Sequence, residues 1–142
     1  MDIVVSSNQP TMEIVGFEHL HQHTNYSLLD GFSHPEELAK RAKEINQRFL
    51  CITDHGAQGA VPRQIKACEI NGVEPLFGCE LYYNKYQPMF TSDKEKKKYL
   101  DSISDEEKLR LRKNHHLLAI AFNETGYRNL VRLSSWGYLH GQ

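Results

Sequence analysis

The stretch EHLHQHTNYSLLDG, Glu18 to Gly31, sets histidines at the alternate positions 19, 21 and 23 and places Asp30 seven residues beyond the last of them. In a strand, residues two apart face the same way. His21 and His23 therefore offer two imidazoles to one cavity, with His19 one step deeper on that face. Such spacing suits transition-metal ligation. Imidazole combined with carboxylate favours Zn, Mn or Fe over Ca or Mg, and several histidines with bridging carboxylates hold more than one ion. The competing reading is a set of histidines satisfied by hydrogen bonds in a core, the common state of a lone histidine. Four further residues, Asp30, His55, Glu80 and His116, shift the balance, because each falls at or just beyond the expected C-terminal end of a strand. Ionisable groups brought together on one rim need compensation by metal or hydrogen bonds, and a shared metal is the economical solution. Ions in such a place acidify a bridging water and hold a phosphoryl oxygen, which is the machinery of phosphoester hydrolysis without a protein nucleophile.

The residues around this set have plainer readings. Asp54 adjoins His55 and either orients a ligand or caps the following turn. His34 sits in the first turn of a helix, where a capping or surface role fits. His115 begins its strand less convincingly than His116, and His140 has no partner suggested by the sequence. Cys51, Cys68 and Cys79 lie in apolar neighbourhoods without CxxC spacing and read as reduced packing residues. Tyr82, Tyr83 and Tyr86 either line a substrate groove or pack at an edge. The run Lys94 to Lys98 reads as a solvated face.

These residues must be positioned by the elements between them. Residues 1–12 are polar, contain Pro10 and read as a loose lead-in; EIVGFEHLH from Glu13 reads as a first strand. SHPEELAKRAKEIN predicts a helix with Ser33 as cap, Glu36 closing a capping box, and Leu38, Ala39, Ala42 and Ile45 on one face. RFLCITDHG is a short buried strand ending on Thr53, Asp54 and His55. A helix over 61–69, with Ile65 and Cys68 inward, leads through the Asn71-Gly72 turn signal to the strand of LFGCELYY. Residues 84–114 form a charged excursion with exposed helices, one starting at the Ser104–Glu107 capping box. HHLLAIAF returns to a buried-strand pattern. The closing helix offers Tyr127, Leu130, Val131 and Leu133 for packing. The order β-α-β-α-β-excursion-β-α implies an α/β fold of parallel strands whose C-terminal ends share one edge, where chemistry sits.

A chain of 142 residues, 39% hydrophobic and 25% charged, suits one domain with a hydrophobic core. Seventeen Lys and Arg against eighteen Asp and Glu leave no global positive field, so any contact with DNA comes through a larger assembly. No basic-then-apolar leader and no run of membrane-spanning length is present, and the expected location is the cytoplasm.

Four blocks, HLHQHTNYSLLDG, ITDHGAQGAV, GVEPLFGCELYY and HHLLAIAFNETGYRNLVRLSSWGYLHG, resemble in order the polymerase and histidinol phosphatase (PHP) domain of bacterial DNA polymerase III alpha subunits. The resemblance runs from about Phe17 onward and is interrupted only by the charged excursion. It implies the N-terminal portion of a distorted (β/α)7 barrel, with residues 13–142 a partial PHP domain carrying ligands at the C-terminal ends of parallel strands. It further implies a cluster of up to three divalent ions, Zn, Mn or Fe. Carried over block by block, His21, His23, Asp30, His55, Glu80 and His116 match metal ligands, with Glu80 bridging. The resemblance implies that His21, His23 and Glu80 act in catalysis through the metal, and His19 and Asp54 are expected to support the ligands from behind. The family's last three ligands, a cysteine and an Asp-x-His pair, and the polymerase palm are expected beyond the end of this sequence. The chain is thus expected to be a truncated piece, an interrupted reading frame or a small, viral-type protein. The implied role is DNA replication, alongside the rest of a polymerase or other replisome proteins. The site would be of phosphoesterase type, a 3'-5' exonuclease or pyrophosphatase, and incomplete in this chain. Alternatives are a non-catalytic structural or partner-binding module and a free-standing small-molecule phosphatase.

Overall fold

A computed structural model of the chain describes residues 3–6, 12–84, 88, 90–111 and 114–140. Strands β1 (Ile3–Ser6) and β2 (Met12–Val15) pair antiparallel, with Ile3 opposite Val15. The expected lead-in thus contributes a strand, and the expected first strand ends before its histidines; Pro10 and Tyr86 lie outside the described residues. From Gly16 to Thr24 the chain runs on without regular structure. The reason is visible at Gln22. Its carbonyl accepts the Thr53 N–H at 2.8 Å, but its own N–H goes to the Thr53 hydroxyl, and its side-chain amide donates to the carbonyls of Cys51 and His19. Side chains supply bonds that a ladder would otherwise make.

Helix α1 (Pro35–Glu44) starts one residue later than the sequence suggests. His34, not Ser33, is the N-cap, and its N–H goes to Glu37 rather than to Glu36. Proline explains the shift: its fixed φ and missing N–H suit the first helical position, which Pro35 then occupies. Ala39 and Ala42 are buried as expected, whereas Ile45 ends the helix and is exposed. Helix α2 (Val61–Asn71) ends on Gly72 at φ 67°, in the left-handed region that glycine adopts without a Cβ clash. Its inner face carries Gln64, Ala67 and Cys68; Ile65, expected inward, is exposed. The methyl-sized faces of the two helices meet, and with Leu50, Ile52 and Val73 they form the main core.

Between them, β3 (Phe49–Ile52) pairs parallel with β4 (Glu74–Tyr83), Phe49 opposite Glu74 and Ile52 opposite Phe77. The sheet order is β3-β4-β5, with β5 spanning His115–Ala121. Helix α5 (Glu124–His140) packs Leu130 against Cys79 and Ala121, with Tyr127 resting on the Phe77 ring at 5.2 Å. Its inner face is Tyr127, Leu130 and Ser134 at helical spacing; Val131 and Leu133 are exposed. The buried character expected of β5 holds only at Ala121, because the strand ends the sheet and Leu117 and Leu118 have an uncovered face. By backbone proximity the chain divides into two compact units, Met1–Leu81 with Leu118–Gln142, and Tyr82–Leu117. The second contains the charged helices α3 (Asp93–Ser102), capped by Ser92, and α4 (Asp105–Leu111), opened by the Ser104–Glu107 capping box.

Candidate metal centre

The sheet register carries beyond the regular β3-β4 ladder into an isolated parallel bridge between His55 and Glu80. Glu80 N–H donates to the Asp54 carbonyl at 3.1 Å, and Gly56 N–H to the Glu80 carbonyl at 2.9 Å. The TDHG loop is held from its other side by the Ser134 hydroxyl of α5, which donates to the Gly56 carbonyl. His55 and Glu80 are therefore placed by sheet geometry. His21 and His23 reach the same place from the extended segment, and Asp30 from a tight turn. That turn bends at Leu29, φ 67°, and both Asp30 N–H and Gly31 N–H return to the Ser27 carbonyl. Gly31 is required, since a Cβ there would stand 2.1 Å from the Thr24 carbonyl oxygen.

Five of the six expected ligands converge in two overlapping groups, His21, His23 and Glu80, and His23, Asp30 and His55. In the first, His21 Nε2 lies 2.6 Å and His23 Nε2 3.1 Å from Glu80 Oε2, with 3.1 Å between the two nitrogens. In the second, His55 Nε2 lies 2.9 Å and His23 Nε2 3.8 Å from Asp30 Oδ2. The His23 and His55 rings stack at 4.3 Å. Ligand atoms about 2.0–2.1 Å from one tetrahedral ion lie roughly 3.3 Å apart, so the donor set and its spacing fit a divalent metal. Both groups use the same atom, His23 Nε2, whose lone pair serves one ion, which makes His23 the pivot of the site. Glu80 is 1% exposed, while half of the His21 side chain is open to solvent. The centre therefore has a buried carboxyl floor and an accessible rim.

Asp54 is buried beneath these ligands. It accepts the Thr24 N–H at 2.7 Å, the Thr24 hydroxyl at 2.8 Å and the Ser27 hydroxyl at 2.7 Å. Thr24 and Ser27 escaped the sequence reading; hydroxyl residues in a turn-like stretch are too common to stand out. His19 belongs to neither group and sets its ring edge-on to Phe17 at 4.7 Å. His116 belongs to the other unit, on β5, with its ring edge-on to Tyr82 at 5.1 Å. Cys51, Cys68 and Cys79 are buried free thiols. Burial pushes Cys51 and Cys68 up to about 11 and also raises Cys79. Protonated at neutral pH, they act as packing groups.

Comparison with known proteins identifies the family. The PHP domain family model matches residues 19–142. DNA polymerase III subunit alpha of Treponema pallidum (strain Nichols) is 39% identical over 130 residues, covering 92% of this chain and 10% of the relative. The corresponding Aquifex aeolicus (strain VF5) protein is 36% identical over 125 residues, covering 88% and 10%. This chain thus spans about a tenth of the length of these relatives. A solved structure assigned as a metal-dependent phosphoesterase, from Bifidobacterium adolescentis, superposes with a TM-score of 0.47 at 22% identity, covering 79% of this chain and 31% of that one. The chain, matched from its first candidate histidine onward, belongs to the PHP domain family.

Proposed function

We propose that this chain is the PHP portion of a replicative DNA polymerase III alpha subunit and carries a metal-dependent phosphoesterase-type site. The observation that supports it best is the meeting of His21, His23 and Glu80, from two distant parts of the sequence, with ligand atoms 2.6–3.1 Å apart. The proposed ligands are His21, His23, Asp30, His55 and Glu80, with His116 added from the family resemblance. Zn, Mn or Fe bound there would supply Lewis acidity toward a phosphoryl oxygen and an acidified water. The chain's own residues set the stage. Glu80 presents a carboxyl group on the floor, and Asp30 anchors His55 from the rim. His21 stands where a phosphoester enters from solvent. The reaction classes proposed are 3'-5' exonuclease or pyrophosphate hydrolysis. A seven-stranded barrel completed by further chain, a cytoplasmic setting and replisome partners belong to the same proposal. With a formal charge of -1, contact with DNA would come through those partners. No described helix is long and apolar enough to cross a membrane.

A test is metal content of purified protein, followed by hydrolysis of a 3'-labelled oligonucleotide and of pyrophosphate with Zn, Mn or Fe added. Bound metal lost in His21→Ala and in Glu80→Ala is the expected result. Metal-free wild-type protein, or variants that bind as it does, would refute the site. A second reading, a non-catalytic support module, draws on the exposed apolar residues of α5, among them Leu133, Trp136 and Leu139. It predicts bound metal without hydrolysis in any pairing with the rest of a polymerase.

A further inference from the structure

We infer that Ser27 is a positioning residue, which passes the orientation of buried Asp54 to the metal-facing imidazole of His23. The inference rests on the metal reading above and follows from counting protons. A serine hydroxyl has one proton and two lone pairs. Ser27 spends its proton on Asp54 Oδ1 at 2.7 Å. Its oxygen then accepts only, taking the His55 N–H at 3.2 Å and facing His23 Nδ1 at 3.3 Å. His23 Nδ1 must carry the proton of that contact. With Nδ1 holding its proton on Ser27, Nε2 is the atom left for a metal, and it faces His21, Glu80 and Asp30, where both ligand groups need it. Thr24 holds the far side of the relay. Its N–H and hydroxyl fill other positions on Asp54, so the carboxylate cannot rotate away from Ser27. Ser27 is 2% exposed and Asp54 1%, which keeps water from substituting for either. The same hydroxyl ties His55 N–H, so one atom sets both the tautomer of one ligand and the backbone of another.

The relay is tested first without metal. Long-range 1H–15N NMR of 15N-histidine-labelled wild-type protein, with His23 assigned through His23→Gln, should show a proton on His23 Nδ1. In Ser27→Ala that preference should be lost, and Ser27→Thr, which keeps the hydroxyl, should restore it. Zn titration against a chelating dye should then show binding weakened about 10- to 100-fold in Ser27→Ala. A His23 without a proton on Nδ1 in the wild type overturns the inference, whatever the variants do. So does Zn binding by Ser27→Ala at the wild-type affinity. Wild-type protein that binds no Zn would sink the metal reading alone, because the tautomer is read in its absence.

Discussion

Removing the Asp54 carboxylate should cost this chain more than removing any metal ligand, and the size of the loss can be worked out from its contacts. Asp54→Ala leaves three buried donors without their acceptor: the Thr24 N–H, the Thr24 hydroxyl and the Ser27 hydroxyl. Each buried donor left unsatisfied costs about 1–3 kcal/mol. Hydroxyls rotate toward whatever acceptor remains, which places the total at roughly 3–6 kcal/mol. Native domains are stable by about 5–15 kcal/mol, so the variant should sit near the edge of folding. Asp54→Asn keeps an oxygen for the two donors that converge on Oδ1 and turns an amide toward Thr24 Oγ1, which has a lone pair to accept it. A loss of about 1–2 kcal/mol is expected there, mainly from the weaker acceptor. The assay is urea unfolding followed by circular dichroism and by fluorescence of Trp136, the single tryptophan, with EDTA present so that ligand binding adds nothing. A cycle with Thr24→Val should show a coupling of about 1–2 kcal/mol between the two side chains. Asp54→Ala within about 1 kcal/mol of wild type would refute the reasoning, since buried donors would then have found other acceptors.

Gly31→Ala should lose about 1–3 kcal/mol and weaken divalent binding, because its methyl meets the Thr24 carbonyl and displaces the turn that presents Asp30; an unchanged unfolding midpoint would count against that close approach. Gln64, buried on α2, donates to the carbonyls of both Leu50 and Leu76, clamping β3 to β4. Gln64→Leu should therefore cost about 1–3 kcal/mol in the same urea experiment, and a neutral result would show that the clamp adds nothing to the ladder. The buried thiols should resist a disulfide reagent at pH 8 in the native protein and react at all three positions in denaturant. Burial raises the folded-state value of Cys51 and Cys68 from 9.0 to about 11, so their contribution to stability is intact below about 8.5 and lost as pH climbs through about 11. Stability that rises across that interval would reverse the sign and contradict the assignment.

The ligand residues were legible because their chemistry is rare: alternate histidines, a TDH block and an acid after a glycine-cysteine pair each stand out in an ordinary composition. Their convergence followed from parallel β3 and β4, which place His55 and Glu80 side by side. The relay of Thr24, Ser27 and Asp54 was not legible beyond Asp54. Threonine and serine in a turn are expected for local reasons, and only three-dimensional contact shows that they serve a distant carboxylate. Periodicity also misplaced the exposed faces. It marked Ile65, Val131 and Leu133 as inward because apolar spacing signals a face but not what covers it.

The most instructive difference concerns the segment that carries His21 and His23. Alternation of side chains predicts a strand, yet this segment forms no strand and still presents both imidazoles to one site. Extended geometry alone is sufficient for that, provided the ends are fixed. They are fixed here by side chains. Upstream, the Glu18 carboxylate accepts the N–H groups of Arg48 and Phe49, binding the segment to the start of β3. Between the two histidines, Gln22 exchanges bonds with Thr53, just past the far end of the same strand. Two polar anchors thirty-odd residues away in sequence thus do the positioning that a continuous ladder would do. They also leave His21 half open to solvent, whereas a fully paired strand would be flanked on both sides. An irregular segment pinned at its ends gives ligands a fixed direction and an open approach together, and a phosphoester would need both to reach a metal there.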